Sequence, residues 1–191
     1  GNIIEESSLR ISVSGICRDQ LFLDYLNNFF HKIFSLDEER ILPQYSSNKL
    51  SAIRINSIVI FYALEKLGVI SPNQNIKSFS IPQWIFNQND YTVSCLKGMF
   101  EIGGNIVINS RNSLELRFIR PKEYIVKYFE KLCYLLNIKT SNISSFQREV
   151  NSTKKYLTLK YYLSIARKSQ VKKFLNLIPT LKWELSRNRI Q

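Results

Sequence analysis

One plan of strands and helices is written twice along this chain, the second copy about 103 residues after the first. Such a repeat constrains the fold more than composition does, because each copy must bury the same apolar faces. In the first copy, Leu9 to Ser14 alternates apolar and polar residues as a half-buried strand does. Leu21, Tyr25, Phe29 and Ile33 recur every four residues, which predicts an amphipathic helix over Gln20 to Phe34. Strand-like stretches follow at Arg40 to Tyr45 and Leu50 to Asn56, then a helix capped by Ser57 that runs to Leu67 and closes at Gly68. In the second copy, Gly104 to Ile108 echoes the opening, and Leu114 to Phe118 alternates again. Pro121, suited to a first helical turn, opens a helix to Leu136, with Tyr124, Tyr128 or Phe129, Leu132 and Leu135 on its apolar side. Strands near Ile143 to Val150 and Tyr156 to Lys160 come next, with helix from Tyr161 onward. The expected class is α+β, two similar halves related by a pseudo-twofold axis within a monomer.

The 191 residues suffice for a real core, and 45% hydrophobic with 22% charged residues excludes a disordered chain. The longest apolar runs, such as Ile58 to Leu64, fall well short of the ~20 residues that span a bilayer. No membrane partner is expected, and Glu5 and Glu6 are unlike a signal peptide. Cys17, Cys95 and Cys133 are far apart and sit in apolar segments, which fits reduced, buried thiols and a cytoplasmic setting. The single histidine, His31, reads as a helix residue. No Walker loop, dinucleotide glycine fingerprint, metal-ligand cluster or nucleophile elbow is present.

The formal net charge is +12, and most of it is at one end. Residues 148–191 hold eleven Lys or Arg against Glu149 and Glu184, a net +9. A field this one-sided attracts polyanions, because each neutralised phosphate releases condensed counterion. Tyr156, Tyr161, Tyr162 and Trp183 are interleaved with the cations, which favours nucleic acid over a merely solvated face.

Between the copies lies a connector, Val69 to Asn89, containing Ile81-Pro82-Gln83-Trp84-Ile85-Phe86, and after it Leu96-Lys97-Gly98-Met99-Phe100-Glu101-Ile102-Gly103-Gly104. The last nine residues resemble the motif of LAGLIDADG homing endonucleases, and the lead-in resembles the segment before the second motif in the intein-associated branch. The similarity of element order covers nearly the whole chain. It implies two αββαββα halves forming a saddle of antiparallel sheets, with close approach of two motif helices at small residues such as Gly98. It also implies double-stranded DNA as partner, nucleoid association and an intein or intron origin. In the family an acid at the eighth motif position holds a divalent metal near the scissile phosphate.

Two departures weaken the enzyme. The eighth position is Gly103, which has no side chain to hold a metal. Glu101, two residues earlier, is turned about 200° around the helix, so it is at best a weak catalytic or metal-binding substitute. Gly1 corresponds to Gly104, so the expected first half (1–68) lacks its motif helix. The expected second half is 90–169, after the connector at 69–89, and a basic helical extension covers 170–191. No cofactor is certain; Mg2+ is expected only if nuclease activity remains.

The strand alternation gives the expected binding face. With Leu9, Ile11 and Val13 inward, Arg10 and Ser12 face outward; Arg54 and Arg117 do so between their own apolar neighbours. Arg148, Lys154, Lys155, Tyr156, Thr158 and Lys160 complete the DNA-binding candidates. The leading expectation is a degenerate, DNA-binding homing-endonuclease-like protein. An active endonuclease with its first motif upstream, and a maturase that binds structured intron RNA, are the alternatives.

Overall fold

The structure is a computed structural model that describes residues 11–14, 20–35, 41–46, 49–55, 57–68, 80–108, 113–149 and 157–184. The chain divides into two compact units, Gly1–Pro82 and Gln83–Gln191.

In the first unit, strands β1 (Ile11–Ser14), β2 (Ile41–Ser46) and β3 (Lys49–Ile55) form an antiparallel sheet ordered β1-β3-β2, with helices α1 (Gln20–Phe34) and α2 (Ile58–Lys66). Ser57 caps α2 by accepting the Ile60 N–H at 3.4 Å, and Gly68 takes the left-handed φ of +70 that stops it. Ile55, Ile60 and Phe61 form a core against which Phe30, Phe34 and Leu64 pack. The expected apolar line of α1 is therefore displaced: Phe29 and Ile33 are 40% and 55% exposed. A four-residue repeat advances about 40° per step relative to a 3.6-residue turn. Such a line drifts around the helix, and Phe30 and Phe34 take over the inner side at its end. His31 lies half-buried in α1.

In the second unit, a 3-10 turn (Gln83–Asn87) leads into α3 (Asn89–Gly103), followed by β4 (Gly104–Ile108), β5 (Leu114–Arg120) and α4 (Glu123–Leu135). Then come β6 (Ser144–Glu149), β7 (Leu157–Ile165), α5 (Lys168–Leu177) and a last helical turn at 181–184. The sheet is antiparallel, ordered β4-β5-β7-β6. Two expectations are corrected. Tyr161 to Ile165 continue β7 and are not helical, because Leu163 and Ile165 keep the alternation and bury themselves beside β5. Pro121 stands just before the N-cap, Lys122, and not inside the first turn of α4.

One face of this sheet carries the core. Phe118 of β5 stacks on Phe129 of α4 at 4.1 Å, and Phe100 of α3 meets Phe174 of α5 at 4.9 Å. All four rings are buried, so the end of α3 is pinned by aromatic packing. Cys133 is buried and free, and burial pushes the half-buried Cys95 thiol up to about 11, as inert structural thiols require.

Candidate nucleic-acid interface

The opposite face of the four-stranded sheet is mostly polar, with Val107, Ile119 and Phe146 set among its polar residues, and its register decides who sits there. Paired residues in an antiparallel ladder point to the same side. Arg117 pairs with Ser164 and Asn105, Lys160 with Phe146, and Thr158 with Arg148. Three of the expected binding residues, Arg117, Lys160 and Thr158, thus share one face, with Tyr162 between Lys160 and Ser164, and Arg148 holds the register position opposite Thr158. Glu115 is on that face too, at 8% exposure, and its two oxygens accept from Arg117 Nε at 2.8 Å and Nη2 at 3.0 Å. The Arg117 guanidinium holds the Glu115 carboxyl below the usual carboxylate range, and the carboxylate raises Arg117 in return. In the first unit, Ser12 of β1 and Arg54 of β3 occupy paired register positions. Arg10, Lys154, Lys155 and Tyr156 lie outside the described residues.

The lead-in to α3 is tied down locally. Thr92 Oγ1 lies 3.0 Å from the carbonyl oxygens of both Ile85 and Gln88, and Trp84 meets Tyr91 edge-on at 5.4 Å. Lys131 Nζ sits 4.0 Å above the Phe86 ring, joining the 3-10 turn to α4. Along α3, Tyr91, Ser94, Gly98 and Ile102 are exposed, and a Cβ at Gly98 would meet nothing within 4 Å.

The far end of α3 is where the chemistry of the motif would lie. Glu101 is only 6% exposed, and its Oε1 accepts the Leu181 N–H at 2.6 Å while Oε2 has no hydrogen-bond partner. Burial pushes its carboxyl above the usual range, against the opposing pull of the Leu181 hydrogen bond and Lys182. Lys182 Nζ donates to the Gly104 carbonyl at 2.6 Å, and to that of Phe100 at 3.4 Å. The cation thus adds to the Gly104 N–H already on the Phe100 carbonyl, and sits where the helix end carries partial negative charge. Gly103 is buried, and a Cβ there would lie 2.5 Å from both Nε and Nη2 of Arg120. The eighth motif position is therefore covered by a guanidinium.

No family model matches the chain, and no curated protein matches it by sequence. Solved structures do. I-DmoI in complex with DNA and Mn is 12% identical with a TM-score of 0.50, covering 88% of this chain and 80% of that one. Full-length DUF199/WhiA from Thermatoga maritima is 20% identical with a TM-score of 0.51, covering 95% of this chain and 51% of that one. The chain has a LAGLIDADG-type fold. The separate N-terminal LAGLIDADG domain of DUF199/WhiA also aligns, at 20% identity and a TM-score of 0.43 over 88% of this chain and 71% of that one.

The motif-like stretch beginning at Leu96 lies in α3, and the sheet with its polar face follows that helix directly. A divalent metal does not fit the residues at the end of that helix. Gly103 offers no side-chain ligand, Arg120 brings positive charge into the same volume, and Glu101 is turned to Leu181. Among the described residues no group of three or more His, Cys, Asp or Glu could hold a metal ion. No helix of the described residues is long and apolar enough to cross a membrane. Sequence reasoning missed Arg120 and Lys182 as residues of the helix end. Both are basic residues whose placement depends on where β5 and the last turn come to rest.

Proposed function

We propose that this chain is a homing-endonuclease-like protein that binds double-stranded DNA through the outward face of its four-stranded sheet, with cleavage lost or impaired. The observation that carries the reading is the register, which sets Arg117, Lys160 and Thr158 on one side of the sheet, with Arg148 at the position paired with Thr158. Long cations and hydrogen-bonding side chains on a twisted sheet suit phosphate contact and base-edge readout. The net charge of +12 supplies the long-range attraction. Support for duplex DNA as the ligand also comes from I-DmoI, a protein of this fold in complex with DNA and Mn. Lost or impaired cleavage is supported by Gly103, Arg120 and the buried Glu101, which among the described residues put no outward-facing carboxylate at the eighth motif position.

The experiment is a titration of labelled duplex DNA at several salt concentrations, with a parallel incubation in Mg2+. Tight, strongly salt-dependent binding without strand scission is expected. Salt-independent or absent binding would overturn the reading. Robust Mg2+-dependent cleavage would restore the active endonuclease, and preference for a structured RNA would favour a maturase.

A further inference from the structure

Arg120 is an unusual place for an arginine. It closes β5 on the core side of the sheet, two residues after Phe118, and its Cζ lies 5.5 Å from the Phe118 ring. It is half-buried, and that burial disfavours its charge. Yet among the described residues no carboxylate pairs with it and no acceptor receives its N–H groups. The expected partners for a cation at a helix end are its carbonyls, but at α3 Lys182 already donates to those of Gly104 and Phe100, and Phe100 also accepts the Gly104 N–H. Arg120 instead stands over Gly103, with Nε and Nη2 both 2.5 Å from where a Cβ would be. Gly103 does not have a left-handed φ, so its backbone would accept any residue, and the guanidinium is what fills the space.

We infer that Arg120 converts the end of α3 from a cation site into an anion site, where its guanidinium takes one backbone phosphate of bound nucleic acid. The inference rests on the nucleic-acid reading above. A planar guanidinium with unused donors matches a phosphate in a two-pronged hydrogen bond, and needs no divalent ion to bridge it. The phosphate also supplies the counter-charge that the half-buried cation lacks within the protein.

Two variants of the full chain test this. Arg120→Gln removes the charge, and Gly103→Ala keeps it but places a methyl group where the guanidinium rests. Duplex DNA affinity is measured across a salt series in EDTA, and thermal unfolding checks that each variant folds. Both variants are expected to lose about three- to tenfold in affinity at low salt, and Arg120→Gln to flatten the log–log salt slope by about 0.9, one phosphate's worth. Wild-type binding with unchanged affinity and slope in both variants would overturn the phosphate contact and leave the DNA reading standing. Absence of duplex binding by the wild type would overturn both. If Arg120→Gln does not fold, wild-type affinity in Gly103→Ala alone rejects the inference.

Discussion

Glu115 and Arg117 grip each other on the outward sheet face, two residues apart on one strand, through hydrogen bonds of 2.8 and 3.0 Å. The pair fixes the direction of the guanidinium but cancels its charge at the surface that would meet DNA. Glu115→Gln keeps an acceptor for Arg117 and removes the negative charge. Duplex affinity at low salt is expected to rise about threefold, with a steeper salt dependence. A fall in affinity would show that the carboxylate's aim on Arg117 matters more than the charge it cancels.

The two buried acids give opposite pH responses. Glu115 is held below its ordinary pKa of 4.5, so the folded state binds its proton less readily than the unfolded chain. Its contribution is present above about 4.5 and is lost as pH falls through the lower folded value. Glu101 is raised above 4.5, so the folded state binds more protons between the two values, and stability falls as pH rises through that window. Denaturant midpoints from about pH 3 to about pH 7 should therefore show a shallower acid limb in Glu115→Gln. Glu101→Gln should lose the decline above 4.5. Glu101→Ala leaves the Leu181 N–H without its acceptor and should cost about 1–3 kcal/mol.

Much of this was legible in the sequence because period-2 alternation is a local property. Leu114, Leu116 and Phe118 had to share a side, and Glu115 and Arg117 the other. Ser57 and Gly68 likewise announce the ends of α2 by their own chemistry. What was not legible depends on partners distant in the chain. The Tyr161 to Ile165 stretch is a strand because it pairs with β5, which no local pattern states. Arg120 continues β5 beyond Phe118 by pairing with Tyr161, and only that extension carries its side chain to Gly103. Lys182 counted in the sequence as one more positive charge. Its role at the end of α3 spans 78 residues of chain.

Gly104 differs from Gly103 in what excludes a side chain. Its backbone is extended, with φ −78 and ψ 153, so no conformational strain attaches to replacement. A Cβ there would run into the ring of Phe100, which is fully buried among Phe129 and Phe174 and has nowhere to move. Gly104→Ala is expected to destabilise the fold by about 1–3 kcal/mol through overpacking. The drop should appear in the denaturant midpoint without a change in m-value. Gly103→Ala should cost less, since it displaces only the tip of a flexible arginine.

Restoring an acid at the motif position should not by itself restore a metal site. In Gly103→Asp the new carboxylate arises beside the Arg120 guanidinium, and the two would pair. That pairing competes directly with a divalent ion, so Mn2+ should leave the unfolding temperature of the single variant unchanged. The double variant Gly103→Asp with Arg120→Ala removes the competitor and exposes the carboxylate at the helix end. Millimolar Mn2+ should then stabilise it, by about 1.4 kcal/mol at tenfold excess over Kd. Equal Mn2+ stabilisation of both variants would mean that Arg120 does not guard the position. No stabilisation of either would mean that the carboxylate at 103 does not reach a place where a metal can bind.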